Sequence, residues 1–270
     1  MSNNNKFIEF KNAKKIWAIG SLHSSLESFQ SIKEYILSNF SHGDKLIFLG
    51  NMIGFGSKSK ETISEILKLR FYLMAKFNLD HEDIVFLRGA QEEMFSKLLQ
   101  LQVAPNPLEI LDWIFSHGVD QTIISYDFDH DEFRNTASQG TIQINKLTSK
   151  LNSKISIEQG HKNFFSNLKH AAYSDSKEVL FVNRGVDISR PLSAQYDCFW
   201  WGYQNFSQIK KPYNTFRRIV RGYQSNTHND IENSKSNVLC TLFKQPLKSK
   251  KVLAGIFSKN GDILELFESK

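Results

Sequence analysis

Five short apolar runs of the sequence stop at a glycine, and the polar residues around these glycines are the first candidates for chemistry. The runs are IWAIG (16–20), LIFLG (46–50), IVFLRG (84–89), VLFVNRG (179–185) and RRIVRG (217–222). Three arginines lie at or beside these ends: Arg88, Arg184 and Arg221. A guanidinium binds phosphate through paired hydrogen bonds and needs no metal ion, so an anion site is one interpretation. The alternative, that the arginines pair with Glu92, Glu93 or Asp187 or face solvent, stays open.

The elements that must position these residues follow from the spacing of apolar side chains. Each run is rich in β-branched or aromatic residues, which is typical of a buried strand before a tight turn. Helix-like segments separate the first three runs: SSLESFQSIKEYILSNF carries Leu26, Phe29 and Ile32 on one face, and SKETISEILKLRFYLMAKF carries Ile63 and Phe71. The alternation predicts an α/β layered sheet, in which functional residues collect at the carboxyl ends of the strands.

The remaining segments are less regular. We expect residues 101–175 to form a cap-like, partly helical insertion in a single domain spanning residues 1–270, and residues 1–12 to be flexible. SNVLCTLFKQP and KVLAGIFSKNGDILELFE resemble antiparallel strands, with Asn260-Gly261 at the centre of a hairpin turn.

Composition narrows the functional classes. The net charge is +6, but the basic residues are spread along the chain, and the basic stretch KQPLKSKK (244–251) has no interleaved aromatic residues, so we expect no nucleic-acid partner. Cys198 and Cys240 have no paired spacing, which argues against a disulfide framework or zinc site and favours a cytoplasmic location. No secretion signal or membrane-spanning segment is legible.

The order of the five ends resembles the calcineurin-like metallophosphoesterases, especially their bacterial serine/threonine phosphatase and diadenosine-tetraphosphatase-like branch. The family motifs are G-D-x-H, G-D-x-x-D-R-G, G-N-H-E, H-A-G and H-G-H-T. This chain has the following counterparts: Gly20-Ser21-Leu22-His23, Gly50-Asn51-Met52-Ile53-Gly54-Phe55-Gly56, Gly89-Ala90-Gln91-Glu92, Asn183-Arg184-Gly185 and Arg221-Gly222-Tyr223-Gln224. The likeness extends from about Ile16 to Leu266. It implies a four-layered β-sandwich flanked by helices, with a small helical cap.

The resemblance also implies which residues replace the family's metal ligands. Family members hold two divalent cations, which clamp a phosphate and activate a bridging water. Of the ligand positions only His23 keeps its residue. The others are Ser21 and Asn51 for aspartates, Ala90 for asparagine, and Asn183 and Tyr223 for histidines. Gln91 replaces the proton-donating histidine, and Gly54-Phe55 replaces an Asp-Arg pair.

Loss of both anionic ligands predicts that the chain holds no dinuclear centre and no cofactor. We therefore expect a pseudophosphatase that binds an unidentified protein partner or a small anionic ligand. The alternative is an active phosphoesterase with a single metal ion, such as manganese or iron, held by His23 and Asn51. Neither the oligomeric state nor the identity of a partner follows from the sequence.

Overall fold

The computed structural model describes residues 6–202, 209–223, 238–243 and 251–270. Within these ranges the strands are β1 (Phe7–Phe10), β2 (Ile16–Ile19), β3 (Lys45–Phe48), β4 (Ile84–Phe86), β5 (Ala171–Ser174), β6 (Val179–Val182), β7 (Arg218–Arg221), β8 (Leu239–Thr241), β9 (Leu253–Phe257) and β10 (Ile263–Glu268). The α-helices in the same ranges are α1 (Leu26–Asn39), α2 (Ser59–Phe77), α3 (Ala90–Leu98), α4 (Pro107–Ser116), α5 (Asp120–Ser125), α6 (His130–Ala137), α7 (Thr141–Ile157), α8 (His161–Ser166) and α9 (Cys198–Trp201).

The strands form two five-stranded sheets. The first sheet has the order β1-β5-β6-β7-β8, and the second has the order β10-β9-β2-β3-β4. Strands β2, β3 and β4 are parallel, as are β6, β7 and β8, so each set delivers its carboxyl ends to one edge. All five glycine-terminated runs are therefore strands, as the sequence predicts.

The two sheets face each other across a core of apolar side chains, which makes the molecule a sandwich. This inter-sheet core includes Phe10, Ile47, Phe181, Val220 and Phe257. The outer face of the second sheet packs on helices, and the outer face of the first packs on α9 and neighbouring segments. The expected α/β sandwich flanked by helices is confirmed. Within the described residues every helix is too short or too polar to cross a bilayer.

The helices between the first strands follow the predicted pattern with one exception. Helix α1 buries Phe29, Ile32 and Ile36, and α2 has the predicted bounds of residues 59–77. We predicted that Phe71 would face the core, but its side chain is 56% exposed. Leu69 is buried instead, since the apolar stripe of α2 runs through residues 62–63, 66–67, 69 and 73.

Two boundaries differ from the sequence-based expectation. We expected residues 1–12 to be flexible, yet Phe7–Phe10 is an edge strand paired in parallel with β5; residues 1–5 lie outside the described ranges. The expected cap reached residue 175, but Ala171–Ser174 belongs to the first sheet, so the helical segment ends with α8.

The carboxyl-terminal strands were expected to be antiparallel, and only β9 and β10 are. Strand β8 pairs in parallel with β7 because it extends the first sheet and has no hairpin partner among the described residues. The turn between β9 and β10 has Gly261 in the left-handed region (φ +81°), as Asn-Gly predicts.

Candidate functional site

Backbone hydrogen bonds join the strand ends to one another. The Ser21 N–H donates to the Gly222 carbonyl at 3.0 Å, and the His23 N–H donates to the Asn51 carbonyl at 2.9 Å. Gly222 N–H donates to the Asn183 carbonyl at 2.9 Å. The ends of β2, β3, β6 and β7 thus form one connected surface, as expected for the carboxyl edges of parallel strands.

Asn51 lies at the centre of this surface, 1% exposed and with a left-handed backbone (φ 54°). Its Oδ1 accepts the Gln91 N–H at 3.0 Å, and its Nδ2 donates to Ser21 Oγ at 3.3 Å. A side chain at Gly89 would lie 2.3 Å from Asn51 Oδ1, so the glycine makes room for this contact. Asn51 acts as both donor and acceptor, which an ionised aspartate could not do.

His23 stands at the one expected ligand position that keeps its residue, and aromatic rings enclose it. Its ring centroid lies 5.1 Å from Phe55, 5.5 Å from Tyr223 and 6.4 Å from Phe243, each in an edge-to-face arrangement. Burial lowers the pKa of His23 to about 4, and a hydrogen bond with the Ile53 backbone opposes this shift. The imidazole is therefore neutral at physiological pH.

Two amide side chains complete the floor of the site. Asn183 is fully buried and donates from Nδ2 to the Leu49 carbonyl at 2.6 Å, which ties the end of β6 to the other sheet. Gln91 donates from Nε2 to the His117 carbonyl at 2.9 Å, and its Oε1 lies where a side chain at Gly54 would be. The oxygens Asn183 Oδ1 and Gln91 Oε1 are buried without a donor.

Glu92 is a site residue that we considered only as an ion-pair partner of an arginine. Its buried carboxylate accepts the N–H groups of Asn51 (2.8 Å), Met52 (2.7 Å) and Gly89 (2.9 Å). Burial raises the pKa of Glu92, and these backbone hydrogen bonds oppose the shift. The signal was present in the sequence, since Glu92 stands three residues after the Gly89 N-cap, as in a capping box.

The three arginines have different surroundings. Arg88 forms an ion pair with Glu93 at 2.7 Å, which is the alternative that we left open for it. Arg221 is buried and donates from Nε to Thr241 Oγ1 at 2.9 Å. Arg184 is half-buried with its guanidinium carbon 5.6 Å from the Tyr223 ring centroid, and it pairs with no acidic side chain in the described ranges.

Arg184 is therefore the arginine best suited to meet an anion. Burial lowers its pKa, while the nearby Tyr223 has the opposite effect. The other acids considered as partners are engaged elsewhere: Asp187 pairs with Arg190 at 3.0 Å, and Glu92 binds backbone N–H groups. Gln224 and the basic residues 244–250 lie outside the described residues.

Apart from the Glu92 carboxylate, whose oxygens accept backbone N–H groups, the candidate metal donors at the strand ends are amides, hydroxyls and one imidazole. Among the described residues no three His, Cys, Asp or Glu side chains come together as a metal-binding group. Phe243, which contributes to the ring cluster around His23, was not foreseen, because nothing in the sequence sets it apart from other phenylalanines.

Comparisons with known proteins agree with this architecture. No protein-family profile matches the chain, and no curated protein is significantly similar in sequence. A solved structure assigned provisionally as a diadenosine tetraphosphatase superposes with a TM-score of 0.54 at 13% identity, over 98% of this chain and 99% of the other.

Two further structures have similar scores. A serine/threonine phosphatase from Saccharomyces cerevisiae, with similarity to human phosphatase PP5, has a TM-score of 0.51 at 15% identity, covering 98% and 84% of the two chains. A cold-active protein-tyrosine phosphatase of a psychrophilic Shewanella has a TM-score of 0.52 at 12% identity, covering 96% and 81%. The chain has the calcineurin-like metallophosphoesterase fold, with low sequence identity to these neighbours.

Proposed function

We propose that this chain is a catalytically lapsed metallophosphoesterase-fold protein that acts by binding. The observation that carries the proposal is the environment of His23, whose ring is enclosed by Phe55, Tyr223 and Phe243. Aromatic side chains thus surround the one family ligand that remains, and they offer a cation no anionic oxygen.

The donor chemistry of the neighbouring positions supports the same conclusion. Two closely spaced dications need bridging and terminal carboxylates to offset their repulsion. Ser21, Asn51 and Asn183 are neutral, and the Asn51 oxygen already accepts the Gln91 N–H. The residues present therefore do not fit the dinuclear centre of the family.

The ligand of the site is a small anion or an acidic segment of a protein partner. Arg184 supplies the positive charge, since it is half-buried, stacked on Tyr223 and without an acidic partner in the described part of the chain. A desolvated guanidinium forms stronger hydrogen bonds with phosphate or carboxylate than an exposed one does.

The central experiment measures metal content and turnover together. The purified chain is incubated with manganese or iron(II) and desalted, and its metal content is measured. Its hydrolysis of p-nitrophenyl phosphate, bis-p-nitrophenyl phosphate and diadenosine tetraphosphate is then followed. We expect substoichiometric metal and no metal-dependent release of product.

The matched variants are His23→Ala at the site and His81→Ala at an exposed position, whose side chain is 78% exposed. Metal-dependent turnover that is lost in His23→Ala and kept in His81→Ala would overturn the proposal and support the single-metal alternative. For the anion arm, inorganic phosphate should raise the melting temperature of the wild type, and the rise should shrink in Arg184→Met.

A further inference from the structure

A second concave feature lies at the side of the sandwich, away from the strand ends. It is a cleft of about 260 Å³, here called the lateral cleft, where the edge strands β1 and β4 of the two sheets meet. Helix α2, the loop before β4, and α8 supply its walls. Its polar lining comprises Arg70, His81, Glu82, Asn163, Asn167 and Lys169.

Arg70 is the principal cation of the lateral cleft. Its guanidinium carbon lies 5.6 Å from the centroid of the Phe86 ring, and its Nη2 donates to the His81 carbonyl at 3.3 Å. Its Nε has no acceptor, and no acidic side chain of the described ranges pairs with it. Burial lowers the pKa of Arg70. Removing the guanidinium from water costs free energy, and no described acidic side chain offsets that cost.

Lys169 adds a second positive charge from a fixed position. Its N–H donates to the Phe86 carbonyl at 2.9 Å, and its carbonyl accepts the Arg88 N–H at 2.7 Å, so its backbone is held against β4. Burial lowers the pKa of Lys169, and Glu82 has the opposite effect. Glu82 is the one acid among the lining residues, so the cleft carries two positive charges against one negative charge.

The remaining lining suits an anion with a small uncharged part. Asn163 lines the cleft from α8, and Ile8, Ile84 and Val85 provide apolar surface. Asn167 also lines it, but its Nδ2 already donates to the Asn163 carbonyl at 2.8 Å and to Ser166 Oγ at 3.3 Å, so Asn163 is the asparagine that can donate to a ligand. Amide N–H groups and paired cations are the donors that surround phosphate in proteins. The volume is below that of a typical drug-sized pocket, which limits the ligand to a compact molecule.

We propose that the lateral cleft binds the phosphate group of a small phosphate monoester, held by Arg70 and Lys169. This site is separate from the strand ends and does not depend on the function proposed for them. A dianionic phosphate would give the half-buried Arg70 guanidinium the counter-charge that it lacks among the described residues.

The test titrates the full-length chain with inorganic phosphate and with phenyl phosphate, followed by calorimetry and by amide chemical shifts of ¹⁵N-labelled protein. We expect saturable binding, tighter for phenyl phosphate because of the apolar wall. Shifts at residues 81–86 and 163–169 should persist in Arg184→Met, which separates this site from the strand ends. Arg70→Met and Lys169→Met should each weaken binding by about tenfold, the loss of one charge-assisted contact.

Two further variants keep the proposal falsifiable if Arg70→Met folds poorly. Glu82→Gln removes the negative charge and should tighten binding, an effect that damage to the fold would not produce. Lys162→Met is the control: this residue lies on α8 beside the cleft but is not part of its lining, and its replacement should leave the affinity unchanged. Shifts confined to residues 183–185, with weaker binding in Arg184→Met alone, would overturn the proposal, as would an affinity insensitive to Glu82→Gln and Lys169→Met.

Discussion

The chemistry of single residues explains why the strand ends are neutral yet well ordered. Asn51 satisfies an N–H with its oxygen and donates with its nitrogen, so a neutral amide meets both needs of a buried turn. The position is therefore stabilised by hydrogen bonds from within the protein.

An aspartate in place of Asn51 should therefore destabilise the chain. Asn51→Asp places a buried negative charge beside the Glu92 carboxylate and removes the donor to Ser21. We expect a loss of about 3 kcal/mol in the free energy of unfolding at pH 7, measured by urea denaturation.

The same variant tests whether the strand ends can still bind a metal ion. Asn145→Asp, on the exposed face of α7, is the control and should change stability by less than about 0.5 kcal/mol. Millimolar manganese should not restore the stability of Asn51→Asp. A manganese-dependent recovery would indicate that the remaining donors can still assemble a metal site.

His23 predicts an acid-sensitive contribution to stability. Because burial lowers its pKa in the folded protein from 6.5 to about 4, the stabilisation is present above pH 6.5 and is lost as the pH falls through about 4. The shift corresponds to about 3 kcal/mol. His23→Phe should lose this part of the pH dependence, measured as the free energy of unfolding between pH 7 and pH 4.

A second buried histidine contributes to that measurement. The pKa of His170 is also lowered to about 4 by burial and by the nearby Arg88, so some acid sensitivity should remain in His23→Phe. Identical slopes for the wild type and His23→Phe would show that His23 is not the residue that titrates.

Among the secondary-structure elements, the sequence predicted the glycine turns but not the contacts that hold these turns in place. Gly50 and Gly54 adopt left-handed conformations (φ +84° and +83°) that the glycine spacing indicated. The fastening of the β3 turn by Glu92 depends on helix α3 starting 40 residues later in the chain. The local sequence pattern indicates that Glu92 caps helix α3. It does not indicate that the same carboxylate also binds the turn after β3.

Replacing the Glu92 carboxylate should weaken the attachment of helix α3 to the turn after β3. Glu92→Gln presents an amide nitrogen to N–H donors, and we expect a loss of about 2–4 kcal/mol in the free energy of unfolding. Amide hydrogen exchange at Asn51 and Met52 should accelerate. Glu61→Gln, on the exposed face of α2, should leave both quantities unchanged; equal exchange in the two variants would argue against the role assigned to Glu92.

In the whole molecule, the sequence could predict the pairing of some strands in the two sheets but not of others. The alternation of strand and helix up to β4 predicted an α/β sheet, and this is confirmed: β2, β3 and β4 are neighbours both in sequence and in the second sheet. The pairing of β1 with β5, and of β8 with β7, joins segments whose patterns carry no mark of their partner. Cross-sheet contacts such as Asn183 with Leu49 have the same origin.

Strand β1 should stabilise the entire sandwich. Phe10 is 1% exposed and lies 6.4 Å from the Phe181 ring in the inter-sheet core, so Phe10→Ala should cost about 3–5 kcal/mol. Phe71→Ala, at the exposed position on α2, should cost less than about 1 kcal/mol. Comparable losses in thermal and urea unfolding for the two variants would contradict the placement of β1.

The pairing of Phe7 with Ala171 also sets an order on biosynthesis. Strand β1 is synthesised before β2, β3 and β4, but its partner β5 is complete only after the chain has grown past residue 171. Strands β2, β3 and β4 can associate soon after each is made. Ile8 and Phe10 therefore lack their strand partner while the intervening residues are synthesised. Such a segment depends on a late pairing step, and until then its apolar side chains are open to chaperones and to aggregation.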